Sequence, residues 1–161
     1  MTKRFIKTLR IIIICSLILV ISTSCSKNES MDKSPSIEDL NNELKETVDL
    51  SNMDIGDEEK LKKLYDIDSE NLEEYILYIP KSNIEANEIA IFKVKESEDL
   101  EEVEEKIKDR VEEQATNFKD YLPDEYYLIE KNVLKTKGNY ILFAISEDVD
   151  KIEKVFDESF K

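Results

Sequence analysis

Carboxylates are the only versatile chemistry this 161-residue chain carries in number. It has 38 Asp plus Glu against 23 Lys plus Arg, two cysteines and no histidine. Without His, the commonest general base near neutral pH and the usual zinc ligand are both missing. No Ser–His–Asp set can be written, and no serine lies in G-x-S-x-G. Two glycines are too few for a P-loop or a dinucleotide fingerprint. Paired-acid chemistry survives this filter, since it needs only one protonated and one ionised carboxyl. The acids, however, show no telling spacing. Glu101, Glu102, Glu104 and Glu105 read as the solvated face of a helix. "DIDSENLEEYIL" (66–77) opens like a calcium loop at Asp66, Asp68 and Glu70. It then offers Asn71 where the turn needs Gly, and Leu77 where a bidentate Glu should close the site. That stretch reads as a helix-end loop. "YLPDEYY" (121–127) gathers three tyrosines around Pro123 and reads as a packed helix-to-strand turn. No catalytic residue, metal site or cofactor is expected.

The two cysteines differ in their surroundings. Lys3, Arg4, Lys7 and Arg10 precede an uncharged run of 16 positions, Ile11 to Ser26. That is short of the ~20 apolar residues of a spanning helix. A basic start, an apolar run from Ile11 to Ile21 and small residues after it form the pattern of a secretory signal. Ser22, Thr23 and Ser24 lead into Cys25, and this arrangement resembles the lipobox of bacterial lipoproteins. The resemblance implies a diacylglyceryl thioether on Cys25 and cleavage between Ser24 and Cys25 by signal peptidase II. Ser22 departs from the Leu usual at that place. Cys15 follows Ile14, where the pattern needs a small residue. The alternative is an uncleaved anchor helix; both readings put the rest of the chain outside the cytoplasm. The lipoprotein reading is preferred: a membrane-anchored protein on the extracytoplasmic face.

On that reading, residues 1–24 are the signal peptide, 25–35 a flexible tether and 36–161 a single α+β domain. The mature chain keeps 19 basic residues against 38 acids, a net charge of −19. Phosphate binding relies on clustered Lys and Arg, so no nucleic-acid partner is expected. The acidity reads either as a solvated surface or as complementarity to a cationic partner or divalent cations. With Cys15 removed and Cys25 acylated, no disulfide can form, and the domain depends on its core.

"SIEDLNNELKETV" has Ser36 and Asp39 in capping spacing and places Ile37, Leu40, Leu44 and Val48 on one helix face. Gly56 and Asp57 separate it from "DEEKLKKLY", a second helix. "EYILYIP" and "NEIAIFKV" read as strands. Leu100, Val103, Ile107, Val111, Ala115, Phe118 and Leu122 form the stripe of a long helix that Pro123 closes. "YYLIEKNVLKT" and "NYILFAI" read as strands joined at Gly138, and a last helix starts near Asp148. Ser97 and Ser146 stand where caps of the two later helices would fall. The expected fold is α+β: one antiparallel four-stranded sheet in ββα–ββα order, preceded by one or two helices, with both later helices on one face. Phe92 and Phe143 should be buried under them. The strands do not alternate, so the second face is apolar too. Tyr75, Leu77, Tyr140 and Leu142 are assigned to that face, covered by the N-terminal helices or by a partner.

"EKLKKLYDID", "EYILYIP", "NEIAIFKVK", "VEEQATNFKDYLPDE" and "TKGNYILFAIS" together resemble a lipoprotein family of Gram-positive bacteria catalogued as domain of unknown function 4358. The resemblance covers about residues 45–160. It carries no known activity, cofactor or site residue. The expected function is therefore a lipid-anchored, non-catalytic module that recognises a protein or envelope component. The alternatives are a structural subunit of a membrane-associated assembly and a carboxylate-dependent hydrolase.

Overall fold

The computed structural model describes residues 34–161, so Ser24, Cys25 and most of the expected tether lie outside the described residues. Helix α1 (Ile37–Thr47) starts where the capping spacing places it: Ser36 Oγ accepts from the Asp39 N–H at 3.0 Å. A short strand, β1 (Met53–Ile55), follows, and Asp57 caps α2 (Glu58–Tyr65) by accepting from the Lys60 N–H at 2.9 Å. Gly56 between them is buried against Leu77, where a Cβ would sit 2.5 Å from the leucine side chain. Then come β2 (Leu72–Pro80), β3 (Glu88–Val94), α3 (Leu100–Phe118), α4 (Pro123–Glu130), β4 (Val133–Lys137), β5 (Tyr140–Ile145) and α5 (Val149–Glu158).

The fold is α+β with one antiparallel sheet, ordered β1-β2-β3-β5-β4. It has five strands rather than the expected four, because Met53–Ile55 adds to the end of β2. Gly138, at φ 57°, takes the first place of the two-residue β4–β5 turn, as the hairpin requires. "YYLIE" is not a strand. Pro123 occupies the first turn of α4, where its missing N–H costs nothing, and Asp124 and Glu125 sit at the positive end of the helix. Pro123 thus opens a helix instead of closing α3, which ends at Phe118. Ser97 and Ser146 are not helix caps: α3 and α5 begin after Asp99 and Asp148, and Ser146 Oγ accepts from the Asp148 N–H at 3.1 Å.

Register decides the two faces. Tyr75 stands opposite Phe92, and Phe92 opposite Ile141; residues directly opposed share a face. Tyr75, Leu77, Phe92, Ile141 and Phe143 therefore lie together, covered by α2, α3 and α4 through Leu61, Tyr65, Val103, Ile107 and Ile129. Ile76, Tyr78, Ile91, Tyr140 and Leu142 form the other face, covered by α1 and α5 through Leu40, Leu44, Ile152 and Phe156. The result is three layers, and it corrects two expectations. The face assigned to Tyr75, Leu77, Tyr140 and Leu142 does not exist: the first two pack on the α3 side and the last two on the α1 side. The two later helices also lie on opposite faces. A helix of 11 residues, about 16 Å long and 10 Å wide, cannot roof a five-stranded face roughly 19 Å across. The apolar stripe of α5 completes that cover beside α1. Phe92 and Phe143 are fully buried as expected, but beneath α3 and not α5, with Tyr65 edge-on to both at 5.4 and 6.2 Å.

Candidate functional site

Only two polar or charged residues are buried among the described ones, Glu88 and Gln114, and they touch. Glu88 opens β3 on the side shared by Ala90 and Phe92, so strand alternation sends its carboxylate under α3. Arg110 and Gln114 follow Val103 and Ile107 by seven residues each, two helical turns, and so fall on the inward stripe. Arg110 Nη2 donates to Glu88 Oε2 at 2.9 Å and Nε to Oε1 at 3.4 Å. Gln114 Nε2 donates to Oε2, and the Tyr65 hydroxyl donates to Oε1. Nη1 of the same arginine reaches Glu113 at 2.9 Å. A buried carboxylate with four donors and one paired guanidinium is a satisfied network.

Burial, then the Glu88 carboxylate, holds the Tyr65 hydroxyl well above its usual range. Burial works against the charge on Arg110, yet Glu88 more than compensates and raises its pKa. The cluster thus offers one carboxylate held by a cation, whereas paired-acid hydrolysis needs two carboxyls in different protonation states.

Arg110 and Gln114 also form the inner wall of a cavity of about 470 Å³ between α2, α3 and the loop that joins β2 to β3. Lys60, Lys63 and Lys81 rim it, and Glu85 is the one acid. Leu64, Ile79 and Phe118 provide an apolar wall. Lys81 donates to the Ser51 carbonyl at 2.7 Å, while the Lys60 and Lys63 ammonium groups make no ion pair among the described residues. Gln114 Oε1 is buried without a hydrogen-bond partner. The loop is tied to α4, since the Ala86 N–H donates to Glu125 at 2.7 Å. Three lysines against one acid, in a chain of net charge −15, form a local reversal of sign, while the Arg110 charge is already met by Glu88 and Glu113.

None of this cluster was singled out in the sequence. The available signal was polar residues recurring at the helical period on an apolar stripe. Of the residues assigned to a partner face, Leu77, Tyr140 and Leu142 are buried, and Tyr75 is half-buried at the mouth of a different groove. Tyr140 donates to the Pro35 carbonyl at 2.6 Å. Asp66 and Asp68 lie in a helix-end loop, where Asp66 closes α2 at φ 53° and both acids pair with Lys62 at 2.7 and 3.1 Å. No acidic group that could hold a metal ion occurs among the described residues, and no described helix is long and apolar enough to cross a membrane.

No curated protein and no solved structure matches the chain. A family model does: it matches residues 46–146, from the end of α1 through β5, and so takes in Glu88, Arg110, Gln114 and the cavity they wall. The chain belongs to the family described as domain of unknown function DUF4358.

Proposed function

We propose that this protein is a lipid-anchored, extracytoplasmic recognition module that binds a small amphipathic anion in the cavity beside Arg110. The anchor rests on Cys25 and its flanks. The observation that carries the binding reading is the sign reversal at the cavity rim, where Lys60, Lys63 and Lys81 face Glu85 alone. Evenly spread surface charge in so acidic a chain would not gather three lysines around one concavity. The apolar wall of Leu64, Ile79 and Phe118 suits a ligand with a hydrocarbon part next to its charge. Glu88 serves here as the fixed counter-charge that orients Arg110. Reading the protein as a structural subunit docked through an apolar sheet face has lost its basis, because α1 and α5 cover that face.

The test uses the full chain in detergent with 8-anilinonaphthalene-1-sulfonate, an amphipathic anion of fitting size. Binding should weaken about tenfold or more in Lys60→Glu with Lys63→Glu, which removes two cations and adds two acids. Unchanged binding in that variant would remove the cavity from consideration. The anchor is tested separately by Cys25→Ala, which should abolish incorporation of labelled fatty acid and release the domain from the membrane. Labelling that persists in the mutant would refute the lipoprotein reading.

A further inference from the structure

Strand β2 is nine residues long, but its outer neighbour β1 pairs only with Tyr78, Ile79 and Pro80. One more bond, from the Gly56 N–H to the Leu77 carbonyl at 2.8 Å, ends the ladder. That bond fixes the parity of the strand. Leu77 turns its backbone groups toward β1, as Lys81 does in donating to the Asn52 carbonyl at 3.1 Å. By the two-residue period, the Tyr75 N–H and C=O point to the same side, and no described strand lies there. The stretch Leu72–Ile76 is thus an open edge, about 16 Å of strand at ~3.3 Å per residue, with an irregular register between Leu72 and Glu74.

Open edges commonly lie flat in solvent and are blunted by charge. This one is the floor of a groove of about 560 Å³ between α1 and the start of α2. Glu38, Glu58, Glu70, Glu73 and Glu74 line the groove; Glu73 is paired with Lys93 at 2.8 Å, and the other four make no ion pair among the described residues. Ile55, 73% exposed at the end of β1, gives it an apolar end. In a chain of net charge −15, four unpaired carboxylates repel a second copy of the same edge, so self-pairing is opposed. The same carboxylates attract a strand of the opposite sign.

The geometry points to β-strand addition: the Leu72–Ile76 edge of β2 takes up an extended, lysine- or arginine-rich peptide segment of a partner protein. Backbone bonds at Tyr75 supply register, and the glutamates supply selection by charge. This surface is distinct from the cavity beside Arg110 and carries charge of the opposite sign, so either assignment can fail alone.

The experiment titrates the fluorescein-labelled, amidated peptide Lys-Val-Lys-Val-Lys-Val-Lys with the full chain in a zwitterionic detergent, read by fluorescence anisotropy. Two N-methylated versions are compared, one carrying the methyl groups on the lysine nitrogens and the other on the valine nitrogens. In an added strand only one of these sets faces β2. One version should therefore bind at least about tenfold more weakly while the other stays within about threefold. Glu38→Gln with Glu70→Gln and Glu74→Gln, all exposed, should weaken the parent peptide by a similar factor with an unchanged circular dichroism spectrum. Equal binding by both methylated versions would mean attraction by charge alone and would overturn the proposal, as would no binding of the parent peptide. Two further results would overturn it by naming another occupant. One is binding that appears only after deletion of residues 26–33, which would place the chain's own segment in the groove. The other is a dimer that the peptide dissociates.

Discussion

Arg110→Met replaces the guanidinium with a side chain of similar length and leaves Glu88 fully buried without its cation. At 2.9 Å and an effective dielectric of ~20, Coulomb attraction between the two charges is about 6 kcal/mol. Part of this survives the substitution, because Tyr65 and Gln114 still donate to the carboxylate, and the Arg110 side chain is 13% exposed, so water reaches the pair. The expected loss is about 3 kcal/mol, the low end of the ~3–5 kcal/mol for stripping one partner from a buried pair. For roughly 128 residues at ~2.1 cal/mol/K each, that is a fall in Tm of about 11 °C. The assay is thermal and urea unfolding of the full chain in detergent, followed by far-ultraviolet circular dichroism. The decisive comparison is the double variant Arg110→Met with Glu88→Met. Removing both charges together should restore stability to within ~1.5 kcal/mol of wild type, since an apolar pair of similar volume tolerates the site. A single variant that melts within about 4 °C of wild type would refute the reasoning, because the carboxylate could not then be as buried or as dependent on Arg110 as described.

Two further perturbations probe the same layer. Phe92→Ala and Phe143→Ala each empty a fully buried site beneath α3 and should cost ~3–5 kcal/mol, measured by urea unfolding, out of a typical ~5–15 kcal/mol. Tyr65 has a raised folded pKa, so its contribution is intact below the unfolded value of ~10 and is lost as pH rises beyond it. Stability of the wild type should therefore fall above about pH 10, and Tyr65→Phe should fall less steeply by one proton, ~1.4 kcal/mol per pH unit. Equal slopes in pH-resolved unfolding curves would show that the Tyr65 hydroxyl is not held neutral.

Element types were legible wherever one periodicity dominated. The stripe from Val103 to Phe118 gives α3, Ser36 and Asp39 give the start of α1, and Gly138 gives the last hairpin. Sheet phase was not legible, for a physical reason. "EYILYI" and "NYILFAI" are apolar on both sides, so no inward–outward contrast exists within either strand to say which side is which. Aligning the two by their shared Tyr-Ile-Leu slips the register by one residue relative to the pairing through Phe92, and one residue of slip exchanges faces. Placing Tyr75 and Leu77 with Tyr140 and Leu142 on one face is one residue out of this register. β1 left no trace because three residues with a single half-buried side chain show no pattern. In α4, the tyrosines and Ile129 favoured a strand while Pro123, Asp124 and Glu125 announced a helix start, and the start signal was the stronger. The Glu88 cluster was half-visible. Arg110 and Gln114 interrupt an apolar stripe at the helical period, but their partner lies 22 and 26 residues away on a strand whose phase was unknown.

The bond from Tyr140 to Pro35 places the N-terminal entry of the domain over an inner strand, 105 residues distant in sequence. A chain pulled from residues before Pro35 loads α1 first and β5 through that hydroxyl, while β1 and β4 at the sheet edges stay slack. Resistance to such a pull comes from α1 seated on Tyr78 and Leu142 and bonded through Glu43 to Ser159 of the C-terminal end at 2.9 Å. These contacts would be released one after another along the helix, as a strip is peeled, and not together, as in shearing a sheet. The domain would therefore yield at low force by losing α1 while β2, β3 and β5 remain paired. Tension applied ahead of Pro35 would open the face that α1 roofs before it unfolded the protein.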